Sequence, residues 1–303
     1  PGSPAHGKNN WEATLWHEYC HVITLTATKN KMPRWLSEGI SVYEEMEKNP
    51  VWGQRMTPKY RDFILKEGDL TPVSELSQAF YNAKDGEHIM FAYYQSMLVV
   101  DYIVKNYGMD SLRAILKDLS EGILINDAIA KNTVEMNQFE IGFSEYAVKL
   151  AQDLAPGVDW STPSPEEVNP ANRIAVLSYL EKNPNNFWAR TSATLDFLAA
   201  EKWDHAWKSA LALIGLNPEY VGPNNGYELM ARAHRGKGEL EKEAAVLETL
   251  ASKSSEAYPT FTRLLSVNFE QQNWPEVKKN ADRVMAINPF LKDVHYCSGC
   301  AHQ

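Results

Sequence analysis

The feature that most constrains this chain is the pentapeptide His17-Glu18-Tyr19-Cys20-His21, inside an apolar, helix-compatible run from Trp11 to about Thr28. Two residues four apart lie on one face of an α-helix, one turn from each other. Both imidazoles can therefore reach one cation at about 2 Å, the usual zinc–nitrogen distance. Glu18 leans towards the same cation without having to bind it, and it is placed to take a proton from an attacking water. The pattern predicts a metal-binding helix.

A second helix, predicted over Arg34–Lys48, brings a third candidate ligand. Pro33 suits the start of this helix, and Gly39 is expected to let the two helices approach closely. Glu38 would complete a set of two histidines and one glutamate that leaves a fourth position open, which is typical of a catalytic zinc site. We therefore expect one catalytic Zn²⁺ bound by His17, His21 and Glu38. The alternative is an ordinary buried helix whose histidines only pack.

These residues resemble a known family. The stretch from His17 to Glu45 reads His-Glu-x-x-His and then Trp-Leu-x-Glu-Gly-x-x-x-Tyr-x-Glu. This pattern is similar to the gluzincin metallopeptidases, most closely to their aminopeptidase-like branch and its bacterial peptidase MA-like relatives. The sixteen residues between His21 and Glu38 form a slightly shorter connection than aminopeptidases usually have. The resemblance covers about Trp11 to Leu150. It implies zinc-dependent hydrolysis of a peptide or protein substrate, with Glu18 as the general base.

The resemblance also implies two supporting roles. Glu45 matches the glutamate that holds a ligand histidine through a hydrogen bond, although it can equally be a solvated surface acid. In the segment Gly86–Gly108, an apolar helix is predicted over Leu98–Tyr107 and stops at Gly108. Counting back from Gly108 places Tyr93 where aminopeptidase-like gluzincins carry a tyrosine that donates to the oxyanion. Tyr94 is the alternative donor, and both rings can instead be packing aromatics. His88 is expected to be a surface histidine rather than a residue that stabilises the transition state.

Composition narrows the function classes. The net charge of −9 argues against a general partner for nucleic acid or for an anionic membrane. No apolar run approaches the roughly 20 residues that span a bilayer. Three cysteines do not make a disulfide framework, and we interpret Cys20, Cys297 and Cys300 as packing residues rather than as a redox or zinc motif.

The second half of the chain contains a repeat. Trp203 precedes Asn217-Pro218 by the same spacing as Trp274 precedes Asn288-Pro289, and the two units are 71 residues apart. Asn183-Pro184 lies 34 residues before Asn217-Pro218. Two periods of about 35 residues with proline after the second helix resemble degenerate tetratricopeptide repeats. Such repeats stack into a solenoid with a concave face, which can dock a protein partner or substrate or can serve only as a brace.

We therefore predict a mainly α protein, with a gluzincin-like helical catalytic domain at 1–155, a linker with four prolines at 156–170 and a tetratricopeptide-type α-solenoid at 171–303. Residues 1–10, with His6, are expected to form a loop. Only sixteen residues precede His17, too few for the β-sheet that thermolysin-like folds place before the metal helix. We expect that an upstream part with the sheet is missing; the alternative is a protein that does without the sheet. A repeat that begins near Lys292 and stops at Gln303 leads us to expect truncation there too.

Two functions follow from this organisation. The first is a zinc peptidase, either an exopeptidase or an endopeptidase, which the family resemblance places outside the cytoplasm of a bacterium. The alternative is a catalytically silent zinc-binding scaffold that acts through its repeats in protein–protein interaction.

Overall fold

The computed structural model describes residues 9–302, and residues 1–8 of the predicted N-terminal loop, with His6, lie outside this range. The described part is built from α-helices, with an isolated bridge between Asp159 and Asn186. The predicted mainly α class is confirmed. Between residues 9 and 302, no helix has both the length and the apolar composition needed to cross a lipid bilayer.

The chain divides into two compact units, one formed by Glu12–Leu154 and the other mainly by residues 155–302. We call them the N-terminal unit and the C-terminal unit. Residues 156–170 between them carry no helix. The assignment of a catalytic domain, a linker and repeats to these parts stays a prediction.

Eight helices make up the N-terminal unit: α1 (Trp11–Ala27), α2 (Arg34–Lys48), α3 (Pro58–Asp62), α4 (Gln78–Tyr81), α5 (Gly86–Tyr107), α6 (Met109–Glu121), α7 (Ile125–Asn132) and α8 (Met136–Asp153). A π-helical turn, Phe63–Glu67, continues α3, and a 3₁₀ turn, Val73–Glu75, precedes α4. The predicted bounds of α2 agree with the structure, and α1 ends one residue before the predicted Thr28.

The core of the N-terminal unit forms where α2 packs against α5. Gly39 makes this contact close, because a Cβ there would lie only 2.5 Å from the backbone oxygen of Ser96. The close approach predicted for Gly39 is therefore made with α5 and not with α1. The largest fully buried side chains around this contact belong to Trp35, Leu36, Phe63, Leu76, Ile103, Ile115, Leu119, Ile129, Phe139 and Phe143.

Helix α1 has two unlike faces. Ala13, Cys20 and Thr24 are buried on the face that carries His17 and His21. The opposite face is apolar but exposed, with more than half of the surface accessible on Leu15, Tyr19, Val22 and Ile23. Val22 and Ile23 therefore do not pack around His17 and His21.

The C-terminal unit contains α9 (Arg173–Lys182), α10 (Phe187–Ala199), α11 (Trp203–Leu216), α12 (Gly226–Gly236), α13 (Leu240–Ala251), α14 (Tyr258–Glu270), α15 (Trp274–Met285) and α16 (Lys292–Cys300). Each helix packs against the next one along the chain. Trp203 and Trp274 begin α11 and α15, and Asn-Pro pairs follow both helices. Nearest-neighbour packing is typical of repeat proteins, so it supports the predicted solenoid, which stays a prediction.

Candidate metal centre

The two histidines of the pentapeptide lie side by side on α1. Their ring centroids are 4.7 Å apart and the rings are nearly perpendicular. Both side chains are partly buried, with 16% and 19% of their surface exposed. One turn of helix therefore presents two imidazoles to the same point, as the spacing predicts.

Glu38 on α2 meets both histidines. Its Oε2 atom lies 3.2 Å from Nε2 of His17 and 3.2 Å from Nε2 of His21. The three ligand atoms all lie within 4.8 Å of one another. Tetrahedral ligands at about 2 Å from a zinc ion are about 3.3 Å apart, so these separations fit one bound ion. Two imidazole nitrogens and a carboxylate oxygen are also a donor set that zinc accepts.

Each histidine is held from behind through its other nitrogen. Nδ1 of His17 donates to Oε1 of Glu45 at 2.5 Å. Nδ1 of His21 donates to Oγ of Ser37 at 2.8 Å, and Oγ of Ser41 lies 3.3 Å from the same nitrogen. These contacts keep both Nε2 atoms directed at the shared point, which is how proteins commonly orient metal-binding histidines.

The charges of the centre are strongly coupled. Burial lowers the pKa of His17, but hydrogen bonds and attraction from Glu38 and Glu45 outweigh this effect and raise it to about 9. Burial opposes ionisation of Glu38, but hydrogen bonds from His17 and His21 lower its pKa to about 2. In the metal-free protein His17 is therefore protonated, and its positive charge offsets the negative charges of Glu38 and Glu45. A cation that binds here has to replace that proton.

Glu18 is exposed, next to His17 on α1. In an α-helix it is rotated by about 100° from His17 and by about 60° from His21 around the axis. The carboxylate therefore borders the histidine face without belonging to it. This position suits a group that exchanges protons with a substrate and does not bind the ion.

Tyr93 and Tyr94 have different surroundings. The hydroxyl of Tyr93 accepts a hydrogen bond from Nη2 of Arg34 at 3.3 Å, and Nε of Arg34 lies 3.4 Å from Oε1 of Glu38. Tyr94 is only 3% exposed and its ring stacks on Tyr60. Burial raises the pKa of Tyr94 far above its usual range. The structure therefore connects Tyr93, and not Tyr94, to the candidate metal centre.

The N-terminal unit is similar to a known protein family. Residues 5–142 match the family model of the Peptidase MA superfamily. This stretch is a little under half of the 303 residues and contains every residue of the centre described above. This match supports a gluzincin-like peptidase MA domain with a metallopeptidase-like role. No curated protein and no solved structure matches the chain significantly.

Sequence reasoning missed three residues of the centre: Arg34, Ser37 and Ser41. All three lie within one turn of Glu38 on α2, four residues before, one before and three after it. Together with Glu38 and Glu45 they form one helical stripe, so their spacing is a usable signal. Their partners on α1 and α5 depend on how the helices cross, which the spacing does not contain.

Proposed function

We propose that the N-terminal unit is a zinc-dependent peptidase in which His17, His21 and Glu38 hold the ion. The observation that carries this proposal is the position of Oε2 of Glu38, 3.2 Å from both Nε2 atoms, while both Nδ1 atoms are engaged elsewhere. A histidine pair that served only packing would not need a shared carboxylate and separate acceptors behind each ring. The match to the Peptidase MA superfamily supports the same function.

The reaction is hydrolysis of a peptide bond by water. A bound Zn²⁺ would lower the pKa of the attacking water towards 7 and polarise the scissile carbonyl. Glu18 takes the proton of the water and passes it to the leaving amine. Because Glu18 is exposed, a substrate can reach it without rearrangement of α1. The carboxylate of Glu45 and the hydroxyl of Ser37 keep the rings of His17 and His21 in their orientation during the reaction.

Tyr93 serves as the oxyanion donor in this proposal. Its oxygen accepts from Arg34, so its own proton is left to donate to the negative oxygen that develops on the substrate. Arg34 also contacts Glu38 and lies over the ring of Phe80 at 4.6 Å, which packs edge-on against Tyr93. A donor in this role contributes about 2.7–4 kcal/mol to transition-state stabilisation.

The test compares the zinc-loaded protein with Glu18→Gln and with Glu47→Gln, an exposed acid on α2, against a diverse peptide library read by mass spectrometry. We expect cleavage by the parent and by Glu47→Gln, and none by Glu18→Gln, while all three retain zinc. The cut positions would distinguish an exopeptidase from an endopeptidase. Zinc binding without cleavage by the parent would contradict the peptidase and favour a silent scaffold that binds a protein partner through the C-terminal unit.

A further inference from the structure

A second group of ligand-type side chains lies in the N-terminal unit and shares no residue with the centre on α1. Glu67, Asp69 and His88 each offer a ligand atom, and these atoms all lie within 4.8 Å of one another. Glu67 ends the π-helical turn that follows α3, and Gly68, with φ of 67°, reverses the chain so that Asp69 faces the same side. His88 lies in the first turn of α5. A local reversal thus places Glu67 and Asp69, two residues apart, next to His88, which follows 19 residues after Asp69.

His88 is oriented within this group and is not a freely solvated surface residue. Its side chain is 14% exposed, and its ring packs on Phe63 with centroids 4.4 Å apart. Nδ1 lies 2.8 Å from Oδ1 of Asp85, which leaves Nε2 directed at Oδ2 of Asp69 at 3.4 Å. A carboxylate behind one ring nitrogen is the arrangement that fixes the tautomer of a metal-binding histidine. His88 is thus a partly exposed histidine whose ring is held by Phe63 and Asp85.

The three side chains present a donor set for a divalent cation. Nε2 of His88 faces Oδ2 of Asp69 at 3.4 Å, and a carboxylate oxygen of Glu67 lies within 4.8 Å of both groups. One imidazole nitrogen and two carboxylate oxygens are ligands that divalent transition-metal ions accept.

Beside Asp69 and His88 there is space for an ion and its water ligands. A cavity of about 230 Å³ is lined by these two residues together with Thr71, Lys84 and Gln95, whereas Glu67 lies outside its lining. One water molecule occupies about 30 Å³ of liquid volume, so the cavity holds several. Gln95 is committed to the backbone of Thr71 through both its amide atoms and is not a candidate ligand.

Two lysines compete for the carboxylates. Nζ of Lys84 lies 2.6 Å from Asp69, and Nζ of Lys59 lies 3.2 Å from Glu67. The two lysine side chains are 64% and 48% exposed. Exposed ion pairs contribute little to stability, so both ammonium groups can move into solvent when a cation binds. If Lys84 competes with the cation in this way, removal of its ammonium group should strengthen cation binding.

We propose that Glu67, Asp69 and His88 bind a divalent transition-metal ion, with water completing the coordination. One imidazole nitrogen with two carboxylates suits zinc or manganese better than calcium, which takes only oxygen ligands. The ion would join the reversal at Gly68 to the first turn of α5, five residues before Tyr93. Its role is structural, and it is independent of the peptidase proposed above.

The experiment counts bound Zn²⁺ after dialysis, in protein whose Cys297 and Cys300 are replaced by serine so that thiolates do not contribute. The parent is expected to hold two zinc ions and His88→Ala one. His205→Ala, a histidine in α11, is the matched control and should leave the count unchanged. His21→Ala should remove the other ion. If the centre on α1 binds no metal, the parent holds one ion that only His88→Ala removes, which still supports the second site.

Lys84→Met separates a metal site from a network of ion pairs. If Lys84 competes with the ion, this substitution tightens zinc binding by up to about fivefold. Zinc should also raise the melting temperature of His21→Ala but not that of His21→Ala combined with Asp69→Asn. An unchanged zinc count in both His88→Ala and Asp69→Asn would overturn the proposal, as would a Lys84→Met protein that binds zinc no better than the parent.

Discussion

Nδ1 of His17 lies 2.5 Å from Oε1 of Glu45, two helical turns beyond Glu38 on α2. The same helix therefore supplies both the candidate ligand carboxylate of Glu38 and the carboxylate that orients the candidate ligand His17. Since α2 carries both groups, a shift of α2 along α1 would disturb both contacts at once.

Removal of Glu45 should weaken metal binding without removing a ligand. We expect Glu45→Ala to lower zinc affinity by about 10–100-fold, the usual effect of losing the partner of a ligand histidine. Glu45→Gln should retain part of the affinity, because the amide oxygen still accepts from Nδ1 but carries no charge. Competition with a chromophoric chelator measures both values. Glu47→Gln, on the same helix, is the control, and a Glu45→Ala protein that binds zinc as tightly as Glu47→Gln would contradict this role.

The two serines behind His21 should contribute unequally. Oγ of Ser37 is 2.8 Å from Nδ1 of His21, whereas Oγ of Ser41 is 3.3 Å away. Since hydrogen bonds weaken with distance, Ser37→Ala should reduce zinc affinity more than Ser41→Ala, and the double variant should lose about tenfold or more. Isothermal titration provides the comparison. Ser111→Ala, whose hydroxyl bonds the carbonyl of Tyr107, is the control. Equal affinities in all four proteins would show that His21 needs no partner.

Zinc binding should depend on pH through His17. Its pKa of about 9 lies above its ordinary value of 6.5, because burial is outweighed by Glu38 and Glu45. At pH 7 the metal-free centre therefore carries a proton that zinc must displace, and affinity should rise about tenfold per pH unit until the pH approaches that pKa. Titrations in buffers of different ionisation enthalpy will report the released proton. An affinity that stays constant from pH 7 to about 9 would show that His17 is neutral before zinc binds.

Gly39 should be intolerant of even the smallest side chain. A Cβ there meets the backbone of Ser96 at 2.5 Å, and backbone cannot move as a flexible side chain does. Gly39→Ala should therefore separate α2 from α5 and lower the free energy of unfolding by about 1–3 kcal/mol, as overpacking does. Urea denaturation measures this loss. Gly86→Ala, at a position with no heavy atom within 4 Å, is the matched control and should be neutral or stabilising.

The sequence was most informative where function depends on spacing within one helix. His17 and His21 are one turn apart, and the structure brings them together with Glu38 because α1 and α2 form over nearly the predicted ranges. It was less informative where a partner comes from another helix. The hydroxyls of Ser37 and Ser41 acquire a role only when α1 lies across α2. Likewise, the surroundings of His88 depend on the π-helical turn that places Phe63 under its ring, and no local pattern indicated that turn.

The stability of the C-terminal unit should depend on the buried charge of Glu243. Its carboxylate is fully buried and accepts from Arg235 at 2.7 Å and from Arg263 at 2.8 and 2.9 Å. Burial alone would raise the pKa of Glu243, but the hydrogen bonds from Arg263 and Arg235 lower it below its ordinary value of 4.5. The carboxylate therefore contributes stability above pH 4.5, and this contribution is lost as the pH falls through the lowered pKa.

Glu243→Gln should reduce the free energy of unfolding by about 1–3 kcal/mol at pH 7, because the arginine donors lose their charged acceptor. Both guanidinium groups are partly exposed and can turn to water, which limits the loss. Urea unfolding followed by circular dichroism measures it. Glu241→Gln, an exposed acid in the same helix, should be neutral. The difference between the parent and Glu243→Gln should shrink when the measurement is repeated well below pH 4.5. A difference that is equally large there would mean that the side chain acts through packing and not through its charge.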